Sequence, residues 1–161
     1  MSKNRPGIYE IMKYVVLAVI IIYIVLLMLY TSGSNQPFEK VAAEVERSLD
    51  TSNLVQMDGQ ALKRYYGLNS ADYEGVLFYS SESAMSAEEV LIVKVKEDKQ
   101  VQEVSAAIDE YIETKKNEFE GYVPEEVKLL EDAQRGVRGK YVFMAVAPKA
   151  QKYKEVFDKS L

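Results

Sequence analysis

Residues 89–96 read EVLIVKVK, and the alternation inside this run decides how the chain folds. Successive side chains of a β-strand point to opposite faces. Leu91, Val93 and Val95 therefore share one face, and Val90, Ile92, Lys94 and Lys96 share the other. Glu89 has the parity of the wholly apolar set. If that face is buried, a carboxyl enters the edge of the core with it. A buried carboxyl needs a partner, and Arg64, Lys63 or a tyrosine hydroxyl are the candidates. Glu89 is therefore expected to be at least half-buried, as a structural ion pair or as the acid of a pocket.

Working outward, Gly75 precedes the run VLFY at 76–79, which reads as a second strand, and the polar residues 80–83 read as a turn. These two strands suit an antiparallel pair. Downstream, KYVFMAVA at 140–147 is apolar on both faces and reads as a central strand. Helical spacing marks 37–49, with Phe38, Val41, Ala42, Val45 and Leu49 on one side. Asp58 and Gly59 open a short helix over 60–66 that Gly67 closes. Asp98 is placed to cap a long helix to about residue 119, and Val101, Val104, Ile108, Ile112, Lys115 and Phe119 form its stripe. Pro124 starts another helix, ending near Gly136, and Pro148 begins the last. The order α-α-β-β-α-α-β-α predicts an α+β domain over 38–161. Its core is a small antiparallel sheet of about three strands packed with helices, and 36–161 is expected to fold without what precedes it.

What precedes it is an apolar run. From Tyr14 to Tyr30 every residue is apolar or aromatic, YVVLAVIIIYIVLLMLY. Residues 14–30 make about 25 Å of helix, and adding 11–13 makes about 30 Å, the thickness of a hydrocarbon core. Lys3, Arg5 and Lys13 precede the run, whereas only Lys40 lies in the fifteen residues that follow it. The positive-inside rule then predicts a single span. Residues 1–13 would be cytoplasmic, and the domain would be extracytoplasmic at the cell membrane. A cleaved signal peptide is the rival reading, and the run is long for one. Residues 31–37, TSGSNQP, read as a polar tether reaching at most about 25 Å.

Of the net charge of −5, residues 1–13 carry +2, so the remainder carries −7. A domain that acidic is a poor ligand for nucleic acid. There is no cysteine and no histidine. Disulfides, thiolate nucleophiles, Ser-His-Asp triads and His-ligated zinc are thereby excluded. No metal-ligand spacing and no phosphate-binding glycine loop stands out, so no cofactor is expected. Gly136-Val137-Arg138-Gly139 reads as a turn. Ser80, Ser81, Ser83 and Ser86 cluster without a base, as Ser-rich turns do. Glu125-Glu126 is accounted for by a helix N-terminus. Lys63-Arg64-Tyr65-Tyr66-Gly67 is the most distinctive short segment, since Tyr and Arg dominate recognition surfaces. The same tyrosines also suit packing against the sheet. Lys63, Arg64, Tyr65, Tyr73 and Glu89 are the candidate binding residues.

Taken in order, Met57-Asp58-Gly59, Leu62 to Gly67, Asp72-Tyr73-Glu74-Gly75, Met85 with Glu88-Glu89 and Lys94, Phe119 to Pro124, and Gly139 to Phe143 resemble domain of unknown function family 4358. That is an uncharacterised membrane-anchored or lipoprotein family of Gram-positive anaerobes. The resemblance covers nearly all of the exported domain, and this chain departs from the lipoprotein version in lacking its cysteine. No catalytic residue carries over. Genes of that family often lie near membrane-bound O-acyltransferase genes, so the resemblance implies a part in modifying cell-envelope polymers. The expectation is a non-catalytic accessory module that binds an integral membrane protein or an envelope polymer. The competing reading is a His- and Cys-independent envelope enzyme, of hydrolase or acyltransferase type, working with Glu, Lys and Tyr.

Overall fold

The computed structural model describes residues 8–31 and 36–161. Residues 32–35 of the expected tether, and 1–7 of the expected cytoplasmic segment, lie outside the described residues. The chain divides into two units, Met1–Gly33 and Ser34–Leu161.

The first unit holds helix α1, Ile8–Thr31. A core helix of a soluble protein hides at least one face. Here every side chain from Ile11 to Met28 is exposed. At 24 residues the helix is about 36 Å long, enough to cross a hydrocarbon core of about 30 Å. It is a candidate membrane span by length and composition, a description that a signal sequence also meets.

The second unit is α+β, built on a five-stranded sheet rather than three. Its elements are α2 (Phe38–Ser48), β1 (Leu54–Gln56), α3 (Gly59–Tyr66), a 3-10 turn (Ser70–Asp72), β2 (Gly75–Ser81), β3 (Glu89–Lys94), α4 (Lys99–Phe119), α5 (Pro124–Glu131), β4 (Gln134–Arg138), β5 (Tyr141–Val146) and α6 (Ala150–Ser160). The strand order is β1-β2-β3-β5-β4, and every neighbouring pair is antiparallel. The expected β2–β3 pair forms, and β5 returns beside β3. The strands not foreseen are the two edges, β1 and β4.

Both faces of the sheet are covered, so β3 and β5 are buried along their whole length. One face packs Leu91, Val93, Val142 and Met144 against Leu62 and Tyr66 of α3, Ile108 and Ile112 of α4, and Leu130 of α5. The other packs Val90, Ile92, Tyr141 and Phe143 against Val41 and Val45 of α2 and Tyr153 and Phe157 of α6. Asp58 caps α3 by accepting from the Ala61 N–H at 2.9 Å. Gly67 ends that helix in the left-handed region, φ 71°, where a Cβ is disfavoured.

Two local expectations are corrected. Asp98 occupies the N-cap position of α4 but makes no capping bond with its side chain; Gln100 instead accepts from the N–H groups of Lys96 and Glu97. Helix α5 stops at Glu131, and Gly136 lies within β4. Of residues 136–139, Gly139 alone, at φ 55°, lies in the turn, which it forms with Lys140 between β4 and β5.

Candidate functional site

Glu89 opens β3, opposite Ser80 of β2 and Val146 of β5. Its parity aims it at the face covered by α3 and α4, and it is 2 % exposed. Its partners are hydroxyls. Tyr66, the last residue of α3, donates to Oε1. Tyr111, midway along α4, donates to Oε2 at 2.8 Å, and Ser80 donates to the same oxygen at 3.4 Å. Burial raises the carboxyl to about 7, and the Tyr66, Tyr111 and Ser80 hydroxyls and the Lys115 ammonium hold it from going higher. Burial, followed by the Glu89 charge, pushes the Tyr66 and Tyr111 phenols well above their ordinary range.

The rings carrying these hydroxyls form one cluster. Tyr66 lies 4.5 Å from Tyr111 between ring centres, Tyr65 stacks on Tyr111 at 6.1 Å, and Phe78 meets both Tyr65 and Tyr66 edge-on. Half-buried Tyr65 and Tyr111 carry the cluster to the surface, and each has a cation over its ring. The Arg64 guanidinium sits 5.3 Å from the centre of Tyr65, and the Lys115 ammonium 5.8 Å from that of Tyr111. Such contacts bring about 0.5–1 kcal/mol at exposed sites and hold the cations in place.

The structure thus brings together Arg64, Tyr65 and Glu89 of the expected set. Lys63 is exposed on the same helix. Tyr73 is only 5 % exposed and belongs to the core. Burial raises its phenol to about 12, and the charges of Glu103 and Asp72, rather than that of Glu89, add to the rise. Of the partners expected for Glu89, the tyrosine hydroxyl is the one found, on Tyr66 and Tyr111, rather than Arg64 or Lys63; Ser80 is a partner the sequence did not point to. A signal did exist for α4: Lys115 falls in the apolar stripe of that helix, one turn beyond Tyr111.

The remaining sequence candidates settle into structural roles. Ser81, Ser83 and Ser86 each accept from a backbone N–H two residues on, bracing the β2–β3 loop. Glu126, in the first turn of α5, accepts from the Ala87 N–H at 2.6 Å and ties that loop to the helix. Among the described residues, no group of three or more acidic side chains is placed to hold a metal ion. At the far end of β3, Lys94 is also buried. It bonds Glu74 at 2.6 Å and the Gln36 carbonyl at 3.2 Å, and its ammonium lies 5.4 Å from the Tyr141 ring centre. The Tyr141 hydroxyl donates to the same Gln36 carbonyl at 2.8 Å, which fixes the start of the domain.

Chemically, the Glu89 carboxyl is sealed, and donors occupy both of its oxygens. It serves as a hub orienting two aromatic helix residues, and what reaches solvent is a pair of tyrosine rings flanked by cations. Fold and site define an α+β module, preceded in the chain by one apolar helix, with an aromatic–cationic surface on α3 and α4. The chain belongs to the family described as Domain of unknown function (DUF4358), whose model matches residues 47–147. No curated protein and no solved structure matches the chain.

Proposed function

We propose that the protein is a single-pass membrane protein whose C-terminal domain lies outside the cytoplasm. There it acts as a non-catalytic recognition module for an integral membrane partner, in a complex that modifies envelope polymers. The observation that carries the binding role is the pairing of Arg64 with Tyr65 and of Lys115 with Tyr111 on a base immobilised by Glu89. Tyr and Arg supply large contact area at low entropic cost, and rigid anchors dominate binding energy. The outward orientation is supported by Lys3, Arg5 and Lys13 ahead of the apolar run 14–30, and the envelope role by the family resemblance. The sealed carboxyl argues against Glu89 acting on a substrate.

The test is a photo-crosslinking residue at position 63, exposed on the same helix as Tyr65, of the full chain in native membranes. One integral membrane protein is expected in stoichiometric adduct, with about tenfold less adduct when Arg64→Ala removes one anchor. Retention on isolated cell wall with no protein adduct would replace the partner by a polymer. Turnover of an acyl or glycosyl substrate, abolished by Glu89→Gln with the fold intact, would overturn the module reading altogether.

A further inference from the structure

We propose that the free edge of β4 accepts an extended acidic and apolar segment of a partner protein as a sixth strand of the sheet. This edge is separate from the Tyr65–Tyr111 patch. It presents Asp109 of α4 rather than Tyr111, and two positions on a helix point about 200° apart.

The backbone provides the first observation. Arg138 and Tyr141 flank the two-residue turn of Gly139 and Lys140. In such a hairpin the flanking pair exchanges both of its hydrogen bonds, and pairs alternate from there. Gly136 and Gln134 then bond inward to Phe143 and Ala145. Arg135 and Val137 turn their N–H and C=O groups away from the sheet. An independent contact agrees with this parity: the Lys140 carbonyl accepts from the Val95 N–H at 2.9 Å, on the opposite side of the β5 line. Among the described residues, no backbone group of another element bonds the outer side of Arg135 or Val137.

The side chains provide the second. Val137 pairs with Val142 on the α4 side of the sheet and is 49 % exposed. Beside it lies a cavity of about 300 Å³ between α4 and the hairpin, floored by Ile108 and Val142 and rimmed by the Arg135–Asp109 ion pair. Both side chains of that pair are more than half exposed, so it is weakly held and open to exchange. An open edge supplies main-chain bonds and an adjacent cavity takes an alternate side chain; together they are what strand addition requires.

Charge selects the occupant. Proteins blunt their sheet edges, and β1, at the other edge, has only three residues. β4 has five, and with its turn it carries Arg135, Arg138 and Lys140 with no acid between them, in a domain that is acidic overall. Arg138 is taken up by Asp158 of α6 at 3.3 Å, so the charge offered along the edge is that of Arg135, in its weakly held pair, and of Lys140. Pairing with a second copy would bring no carboxylate to Arg135, because β4 carries none. A partner strand with a carboxylate for Arg135 and a branched apolar residue for the cavity meets both demands.

Amide hydrogen exchange at residue resolution on the full chain in detergent micelles tests this. In the free chain, Arg135 and Val137 should exchange fast while Gly136 is protected. The peptide acetyl-Glu-Thr-Val-Thr-Glu-amide, which sets its glutamates and its valine on one face as Arg135 and the cavity require, should slow Arg135 and Val137 by about tenfold or more at saturation, and the Lys-Thr-Val-Thr-Lys counterpart should not. Val137→Pro removes an outward N–H without breaking a β4–β5 bond and should abolish the protection of Arg135. Arg135→Glu, which keeps the backbone, should reverse the preference between the two peptides. Arg135 and Val137 protected in the free chain would overturn the proposal. So would protection that grows with chain concentration alone, which would assign the edge to a second copy, and so would equal or no response to the two peptides.

Discussion

Strand β3 buries an acid at one end and a base at the other, and the fold treats them differently. Lys94, on the α2 and α6 face, meets an anion: Glu74 is in contact, its own side chain is about half exposed, and the Gln36 carbonyl completes the set. Glu89, on the α3 and α4 face, has no cation bonded to it. Three neutral hydroxyls do that work, and the nearest ammonium, on Lys115, bonds Glu118 instead. A buried charge without a counter-ion stays costly even when well hydrogen-bonded. That cost is what raises the Glu89 carboxyl to about 7. One end of the strand is a clamp on the chain, and the other is a titratable hub beneath a surface.

The largest expected effect tests that contrast directly. Glu89 titrates near 4.5 when unfolded and near 7 when folded, so the folded protein binds the proton more tightly. The associated stability is fully present below about pH 4.5 and is lost as pH rises through about 7. Denaturant unfolding of the full chain in micelles, followed by tyrosine circular dichroism, should show about 2.5 kcal/mol more stability at pH 5 than at pH 8 from this group. Glu89→Gln should flatten that swing. A swing that survives the substitution would place the titration elsewhere and dissolve the difference between the two ends of β3.

Next comes Tyr66→Phe, which removes the hydroxyl on Oε1 and leaves the ring. Hydrogen bonds to charged groups contribute about 1.5–3 kcal/mol, against about 0.5–1.5 for neutral ones. The loss should be about 2 kcal/mol at pH 8 and about half that at pH 5, and the midpoint of the stability curve should move up. An equal loss at both pH values would mean that the bond does not distinguish carboxylate from carboxylic acid.

How much of this was legible in the sequence follows from the same residues. Strict alternation in 89–96 gave Glu89 its face and its burial without any knowledge of what covered it. Which tyrosines would meet it was out of reach. Tyr65 and Tyr66 stand side by side on an eight-residue helix, and a rotation of about 100° exchanges the buried one for the exposed one. Tyr111 lies more than twenty residues away on a helix whose docking angle no local pattern specifies. The edge strands were hidden for a different reason. β1 is three residues, LVQ, and β4 reads QRGVR, with a glycine at its centre and charge on both sides. Edges are written in polar residues because they face water, so they imitate loops and the sheet reads two strands too small.

A smaller effect is expected at the basic end. Glu74→Gln removes the anion from Lys94 but leaves the Gln36 carbonyl and the Tyr141 ring in place. Because Glu74 is about half exposed, solvent already screens the pair. The cost should be about 1 kcal/mol, with the Glu89-dependent swing unchanged. A loss of several kcal/mol would show that the clamp rests on Glu74 alone. A changed swing would show that the two ends of β3 are coupled.

Ser80→Ala should have the smallest effect, and its size ranks the hydroxyls of the hub. Ser80 stands directly across from Glu89 in the β2–β3 register, where side chains of paired residues are close by construction. Proximity alone would make it a strong partner. Yet its hydroxyl lies 3.4 Å from Oε2, at the long limit of a hydrogen bond, while Tyr111 reaches the same oxygen at 2.8 Å. Removing the serine therefore leaves Oε2 with its better donor. The space vacated is a single oxygen beside a carboxyl, too small to act as a costly cavity. The loss should be about 0.5 kcal/mol at pH 8 and less at pH 5, with the midpoint moving up by less than in Tyr66→Phe. The opposite ranking, with Ser80→Ala more damaging than Tyr66→Phe, would mean that the sheet rather than the two helices holds the carboxyl. In that case Glu89 would not hold Tyr65 and Tyr111 in register at the surface, and the contrast between a clamp at one end of β3 and an orienting hub at the other would fail.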